Sequence, residues 1–471
     1  MSRVVRVLLL AAAGLAGLLG LVVLLGPLFV GSEFSHRIER AASEAMGMEF
    51  RVDGPVRIRV FPAPGVSLAD VHVRNDESDW FSASSLTARV RVPTLLRGRI
   101  EFSGIDLMEP RLQLIRGSDG ALNFIPDRRP DDTGDRRPIE LRRIHARDVS
   151  VTFSDLESGA RLAAEGCELA GQDLVWTPAP VSGPDFHGNA SCRQVAYDAL
   201  EATDLEARVS VRGRQLEVQL VTGRLFEGRL EGRLRSDLSG SVPTHALELE
   251  LLDFRVARFI ETFRHDRGVE GTASFTTQLA SSGRTLSAVT EALNGRAELS
   301  GTDLVLHGLD LDEQLDRYES TQQFNLVDTA ALFVAGPAGL AVTRGYGFVS
   351  LFDGPGGQTP IRELVSEWRI DGGSARARDV ALSTANNRLA LTGGLNFVTA
   401  EFDDLRVAVI DSDGCAVVEQ RILGSFEDPR IERPNFLVTL AAPLTDLVKR
   451  GIALFTESEC EPVYTGRVAP P

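Results

Sequence analysis

The sequence has almost no lysine, because Lys449 is the single lysine and arginine supplies the rest of the basic residues. Acidic residues outnumber basic ones by 66 to 50, so the formal net charge is −16 and the pI is about 5.0. A chain with this charge would be repelled by the phosphates of a nucleic acid, so no nucleic-acid partner is expected. No local cluster of arginines along the chain indicates a dedicated anion site.

Motifs that carry enzymatic chemistry are also missing. The seven histidines are scattered without H-x-x-x-H spacing, and there is no G-x-S-x-G elbow and no P-loop. The segment from Asp411 to Gly414 resembles the start of a calcium-binding loop, but Ile422 stands where that loop needs a glutamate. A turn between strands is therefore expected there. We expect a protein that is not an enzyme, with no catalytic residue, metal site or cofactor.

Cysteine is scarce, and the four cysteines are too far apart for a C-x-x-C redox or metal motif. If the body of the chain is exported, their even number is consistent with two disulfide bonds. Four cysteines can pair in three ways. Proximity along the chain favours Cys167 with Cys192 and Cys415 with Cys460.

The sequence contains one run that is long enough to cross a membrane. Residues 7–32 are uncharged and mostly apolar, and they follow Arg3 and Arg6; a spanning helix needs about 20 residues. The alternative is a cleavable signal peptide, but no small-x-small cleavage site follows the run. We therefore expect an uncleaved single-pass anchor. The two arginines favour a cytoplasmic N-terminus and export of residues 33–471.

Beyond the anchor, apolar residues recur first at helical spacing, over residues 34–45, and then at every second position. Period-two alternation is typical of β-strands with one apolar and one wet face. The apolar phase shifts between Val66 and Val73, which predicts a β-bulge near Ala69–Asp70. Helical spacing returns only in a few segments, over residues 286–293, about 309–335 and 444–451.

This pattern predicts a mainly β, mostly antiparallel fold with a few amphipathic helices, and it raises the question of what covers the apolar face. A closed barrel or sandwich covers that face with itself. An elongated, curled sheet could instead leave a groove for another hydrophobic substance, such as lipid acyl chains. Alternation does not separate a groove lining from a self-filled core. The candidate residues for either role in the first strands are Val56, Ile58, Val60, Leu86, Val90 and Val92.

Three stretches of the chain resemble the AsmA family of bacterial envelope proteins. The first is the hydrophobic run followed by residues 54–75 and 86–124, with a "V.L.DV.V.N" strand and a "DG..N" ending. The second is residues 282–315, "SGRTLSAVTEALNGRAELSGTDLVLHGLDLDEQL", and the third is residues 460–471, "CEPVYTGRVAPP". The middle of the chain, about 140–280, is similar only in the texture of its strands.

Together with the polar stretch "PDRRPDDTGDRRP", the resemblance implies a domain organisation. We expect an anchor at residues 1–32, an N-terminal module at 33–125, a polar loop or linker at 126–138, a middle β-groove region at 139–280 and a C-terminal module at 281–471.

The resemblance also implies that the sheet is elongated and curled into a long β-groove, and it implies a location and a role. The protein would be anchored in the bacterial inner membrane through residues 7–32, with its body in the periplasm. It would be related to bridge-like lipid-transfer proteins, would contact phospholipid acyl chains and other envelope proteins, and would support outer-membrane assembly and envelope homeostasis. A bond between Cys415 and Cys460 would fasten the terminal segment to the last strands. The alternative is a non-enzymatic scaffold for outer-membrane proteins or lipopolysaccharide that transports no lipid.

Overall fold

The structure is a computed structural model of the 471-residue chain. It describes residues 32–46, 48–59, 64–75, 78–90, 102–124, 139–176, 185–263, 268–313, 315, 356–433, 435–436 and 460–471. The predicted anchor, the predicted linker, Val60 and Val92 lie outside these residues, as do the predicted helix near 444–451 and most of the one over 309–335. Among the described residues, no helix is long and apolar enough to cross a membrane.

The described residues form 23 strands and three helices, so the predicted mainly β composition is confirmed. The helices are α1 (Ser32–Met46), α2 (Val256–Phe263) and α3 (Leu286–Glu291). The strands are β1 (Glu49–Val52), β2 (Val56–Arg59), β3 (Gly65–Asn75), β4 (Ser78–Val90), β5 (Phe102–Met108), β6 (Arg111–Arg116), β7 (Ile139–Asp155), β8 (Arg161–Trp176), β9 (Asp185–Tyr197), β10 (Leu200–Arg212), β11 (Gln215–Leu225), β12 (Gly228–Asp237), β13 (Thr244–Arg255), β14 (Val269–Glu270), β15 (Thr272–Ser282), β16 (Asn294–His307), β17 (Gln358–Asp371), β18 (Ser374–Ser383), β19 (Arg388–Asn396), β20 (Glu401–Ile410), β21 (Ala416–Ser425), β22 (Pro429–Ile431) and β23 (Asn435–Phe436).

The chain divides into two compact units, Met1–Arg214 (unit 1) and Gln215–Pro471 (unit 2). In unit 1, β3 pairs with β1, β2 and β4, β4 pairs with β5 and β6, and β7 to β10 follow one another. In unit 2, β11, β12, β13, β15 and β16 to β21 pair in that order. Apart from the parallel pairs β5–β7 and β6–β7, these pairings are antiparallel, as predicted.

Six strand aspartates share one backbone irregularity. Each adopts a left-handed φ between 50° and 56°, a conformation that aspartate tolerates better than most residues. Around two of them the flanking apolar residues Leu68 and Val71, or Leu251 and Phe254, are all buried, although each pair is three positions apart. The aspartate therefore shifts the side-chain alternation by one residue, which confirms the irregularity predicted near Ala69–Asp70. The six are Asp70, Asp148, Asp204, Asp253, Asp303 and Asp404.

Helix α1 covers the first strands of unit 1. Its Ile38 and Ala42 pack against an apolar cluster on β1 and β3. Two polar side chains of the helix fix its position: the Ser43 hydroxyl accepts a hydrogen bond from the Phe50 amide at 2.8 Å, and Glu39 accepts one from Val52 at 2.9 Å. The cluster consists of Phe50, Val52, Leu68, Val71 and Val73.

Residues 460–471, the terminal strap, pack onto one face of unit 2. The Cys415–Cys460 disulfide joins the strap to the end of the sheet, with the two Cα atoms 6.2 Å apart. Val468 is 1% exposed, and its carbonyl accepts a hydrogen bond from Arg388 at 3.1 Å. The expectation that the Cys415–Cys460 bond fastens the terminal segment to the last strands is confirmed. The strand residues beneath the strap are Val365, Ala381, Ala390, Ala408 and Ile410.

Candidate functional site

One row of apolar side chains crosses eight strands of unit 2 on a single face of the sheet. Its exposure changes along the row: Leu234 is 37% exposed, whereas Ile370 is 6% and Leu395 is 3% exposed. The apolar face is therefore accessible at β11 to β15 and closed at β17 to β19. In order of strand register, the row is Val218, Leu234, Leu247, Leu279, Gly295, Ile370, Ala375 and Leu395.

The opposite ends of the same strands are covered by helix α2. The Phe226 and Phe259 rings meet edge to face, 5.3 Å apart, and Phe259 and Phe254 are buried. Edge-to-face aromatic packing of this kind closes one end of the strands with the chain's own side chains. The accessible part is thus confined to the other end. We call it the unit 2 face, and it consists of Val218, Leu234, Leu247, Leu249 and Leu279.

Unit 1 has an apolar face of the same kind on β8 to β10. Leu169, Ala190 and Ala207 lie directly opposite one another on these strands, and all three are half-buried. An added Cβ at Gly171 or Gly188 would collide with the Phe186 ring, so the two glycines leave room for that ring. We call the set the unit 1 face: Leu169, Phe186, Ala190, Leu205, Ala207 and Val209.

A disulfide bond crosses the unit 1 face. Cys167 and Cys192 are directly opposite in the β8–β9 register, and their Cα atoms are 4.0 Å apart. Cys192 in turn lies opposite Leu205 of β10. The pairing favoured by proximity along the chain is confirmed for both bonds. The disulfide therefore links β8 and β9 on a face whose apolar side chains are half-buried.

The six candidate residues of the first strands fall in different surroundings. Val56 and Leu86 are half-buried and pack against the cluster beneath α1. Ile58 is 47% exposed, and the backbone of Val90 lies opposite Phe102 in the β4–β5 pair. Of these, the structure therefore brings Val56 and Leu86 to one cluster that α1 covers. Val60 and Val92 lie outside the described residues.

Sequence reasoning did not select the residues of the unit 1 and unit 2 faces. Alternation correctly identified strands such as β12 and β13, with Leu234 and Leu247 on their apolar phase. It does not report whether another element covers that phase. The sequence did carry one signal for a covered surface, the apolar stripe of α1, because a helix with Ile38 and Ala42 on one side needs a surface to pack against. That surface is the start of unit 1.

The other face of the same unit 2 strands is charged. Glu217 bonds Arg235 at 3.2 Å and lies 3.6 Å from Arg233, and Arg229 lies 3.5 Å from Glu231. The register continues this side of the sheet from Arg233 through Glu248 and Gln278 to Arg296 of β16, and we call it the charged face of unit 2. The strands β11 to β13 therefore separate an accessible apolar side from a hydrated ionic side, as an amphipathic sheet does.

The strap is locked to the charged face by a partly buried ionic network. The Tyr464 hydroxyl donates to Asp379 at 2.6 Å, and Arg467 donates to the same carboxylate at 2.8 Å. Burial works to raise the pKa of Asp379, but these hydrogen bonds outweigh it and lower the pKa overall. Burial, followed by the bond to Asp379, raises the pKa of Tyr464. The network is therefore strongest with Asp379 ionised and Tyr464 neutral.

A model of the AsmA family matches the chain twice, over residues 1–194 and 185–379. Together the matches span most of unit 1 and unit 2, including the middle strands whose sequence resembles the family only in texture. No curated protein and no solved structure matches the chain.

Proposed function

The chain belongs to the AsmA family, and on that premise we propose that it carries phospholipid along its apolar sheet faces. In this proposal residues 7–32 anchor it in the bacterial inner membrane and the body lies in the periplasm. Its role is to support outer-membrane assembly and envelope homeostasis without enzymatic chemistry. The observation that carries the proposal is the accessible apolar row from Val218 to Leu279 in unit 2.

The unit 2 face suits an acyl chain for a simple physical reason. Its leucines and Val218 remain partly in contact with water, and each methylene that leaves water gains about 0.8 kcal/mol. An acyl chain lying across Leu234, Leu247 and Leu279 would remove water from both partners. These apolar side chains offer no hydrogen bonds to fix a register, so a chain could move along the row. The unit 1 face offers the same chemistry.

The alternative is a scaffold for outer-membrane proteins or lipopolysaccharide. It is favoured by the parts of the sheet that the protein covers by itself, beneath α1 in unit 1 and at β17 to β20 in unit 2. In those parts the strands provide stability and leave no apolar surface for a ligand. The two functions differ in what touches the accessible faces.

Photo-crosslinking in cells tests this difference. A photoreactive amino acid is placed at Leu247 of the full chain, in cells whose phospholipids carry ³²P. The matched control is Glu248, the next residue of β13, which is exposed on the charged face. We expect a labelled phospholipid adduct at residue 247 and none at residue 248. Adducts to envelope proteins at residue 247, without labelled lipid, would support the scaffold instead.

A further inference from the structure

Three arginines meet on the charged face of unit 2, although they are far apart in sequence. Arg296 of β16 lies directly opposite Arg369 of β17, which lies directly opposite Arg376 of β18. Arg378 follows on the same strand as Arg376 and lines the same surface. The sequence indicated no local arginine cluster, and the strand register creates one. We call Arg296, Arg369, Arg376 and Arg378 the arginine row.

Most of this row has no internal counter-ion. Arg376 bonds Asp403 at 2.7 Å. Within the part of the chain that the structure describes, Arg296, Arg369 and Arg378 have no carboxylate oxygen within 4.0 Å, and all three are exposed. Like charges directly opposite each other destabilise a pair of strands. The arrangement therefore favours an external anion that would offset the repulsion.

The terminal strap forms ion pairs with the carboxylates that could otherwise neutralise the arginine row. On the same face, one register step away, Glu298, Glu367 and Asp379 lie directly opposite one another. Arg467 of the strap bonds all three, at 2.9, 3.3 and 2.8 Å. Because one guanidinium holds three carboxylates in place, the acidic row is occupied and the neighbouring arginine row stays available.

Arg296, Arg369 and Arg378 line a depression of about 690 Å³. The side-chain amides of Gln278 and Asn294 also line it and can donate hydrogen bonds. Two carboxylates are on its wall, Glu367, which Arg467 holds, and Asp371. Guanidinium groups therefore outnumber the carboxylates that are not already paired.

We infer that the arginine row binds the phosphate group of an anionic ligand. Planar guanidinium groups bind phosphate oxygens through paired, charge-assisted hydrogen bonds, and adjacent arginines can share one phosphate. Inorganic phosphate and the headgroup of an anionic phospholipid both supply this chemistry. The inference goes beyond the proposed function, because the row lies on the charged face and involves none of the apolar residues assigned to acyl chains.

Calorimetric titration of the full chain in dodecyl maltoside, a detergent without phosphorus, tests the inference. The probes are inorganic phosphate and glycerophosphoglycerol, the headgroup of phosphatidylglycerol without acyl chains. The variant is R296Q/R369Q. Its matched control is R229Q/R235Q, which removes the same charge from paired arginines of the charged face. We expect about tenfold weaker binding or more in the variant, and unchanged binding in the control.

The two probes separate the sources of the phosphate. Binding of both probes assigns the site to a lipid headgroup, and binding of inorganic phosphate alone assigns it to free phosphate. Arg467→Gln should also weaken binding, since it releases Glu298 and Glu367 to pair with the row. Any of three results would overturn the inference. They are the absence of saturable binding, an equal loss of affinity in both double variants, and capture of an acidic peptide without binding of either probe. Lipid crosslinking at residue 247 is independent of all these outcomes, so it tests the proposed function separately.

Discussion

In unit 2, strands with the same antiparallel pairing occur in two environments, one partly open to water and one fully buried. Leu247 of β13 and Leu389 of β19 are both leucines in antiparallel strands, but Leu247 is half-buried and Leu389 is fully buried. Around Leu389 both faces of the sheet are buried: Leu389 itself is 0% exposed on one face, and on the other face the strap packs on the neighbouring Ala390 and Ala381. Alternation therefore specifies which residues share a face, and the packing of distant segments decides whether that face meets water. The following predictions test this difference.

Removing the Cys415–Cys460 bond should have the largest effect, because it frees the strap that covers β17 to β20. The bond closes a separation of 45 residues, worth about 4 kcal/mol in the chain-entropy model. C415S/C460S should lose about that much stability in urea unfolding of the full chain and gain trypsin cleavage at Arg467. C167S/C192S, with a separation of 25 residues, should lose about 3.5 kcal/mol and keep the strap resistant. Equal cleavage in both variants would contradict the assigned role of the strap.

A matched pair of leucine truncations measures the difference in cover directly. Leu389→Ala removes side-chain atoms from a site that is 0% exposed and should cost about 3 kcal/mol, including the cavity it leaves. Leu247→Ala acts on a half-buried side chain and should cost about 1 kcal/mol. Urea unfolding monitored by tryptophan fluorescence checks both values. Similar costs for the two variants would show that the unit 2 face is covered in solution.

The lock between strap and sheet should depend on pH. Because the pKa of Asp379 is lowered in the folded protein, the stability that its carboxylate contributes is present above the pKa of an unfolded aspartate, about 3.9. It is lost as pH falls through the folded pKa. The raised pKa of Tyr464 means that its contribution is present below about 10 and is lost as pH rises through the folded pKa. Both contributions are present at neutral pH, so the strap should be protected against trypsin there.

Tyr464→Phe tests the same lock at one atom. It removes the hydroxyl that donates to Asp379 at 2.6 Å and should cost about 2 kcal/mol, as expected for a hydrogen bond to a charged group. Urea unfolding of the variant at neutral pH gives this cost. Tyr197→Phe is the control, since Tyr197 is exposed in unit 1 and should change stability little. An unchanged stability of Tyr464→Phe would contradict the lock.

A charge on the accessible face should change function more than stability. Leu247→Glu keeps its carboxylate in contact with water, so we expect a stability loss of about 1 kcal/mol or less. It should nevertheless abolish labelled lipid adducts at a photoreactive residue 279, because acyl chains would have to desolvate the new charge. Ala246→Glu adds the same charge to the exposed, charged side of β13 and should leave the adducts intact. Global unfolding by Leu247→Glu would identify that face as a sealed core.

Much of the fold was predictable because its signals are local. Alternation identified strands such as β12 and β13, the phase shift around Asp70 predicted an irregularity that the left-handed backbone confirms, and the periodic residues after Thr285 predicted α3. That helix is shorter than its apolar spacing suggested, and Leu286 is 82% exposed. Its first turn therefore meets solvent, and spacing alone did not reveal this.

The chain's local pattern was enough for its strand class, the irregularity near Asp70 and the resemblance to the AsmA family, and proximity along the chain favoured the cysteine pairing that the structure shows. Tertiary structure alone decided which apolar faces are covered and which arginines are neighbours. The reason is sequence separation: the register joins Arg296 to Arg369, and the strap joins Arg467 to Glu298. Such contacts depend on where distant strands come to lie, and no short stretch of sequence records that position.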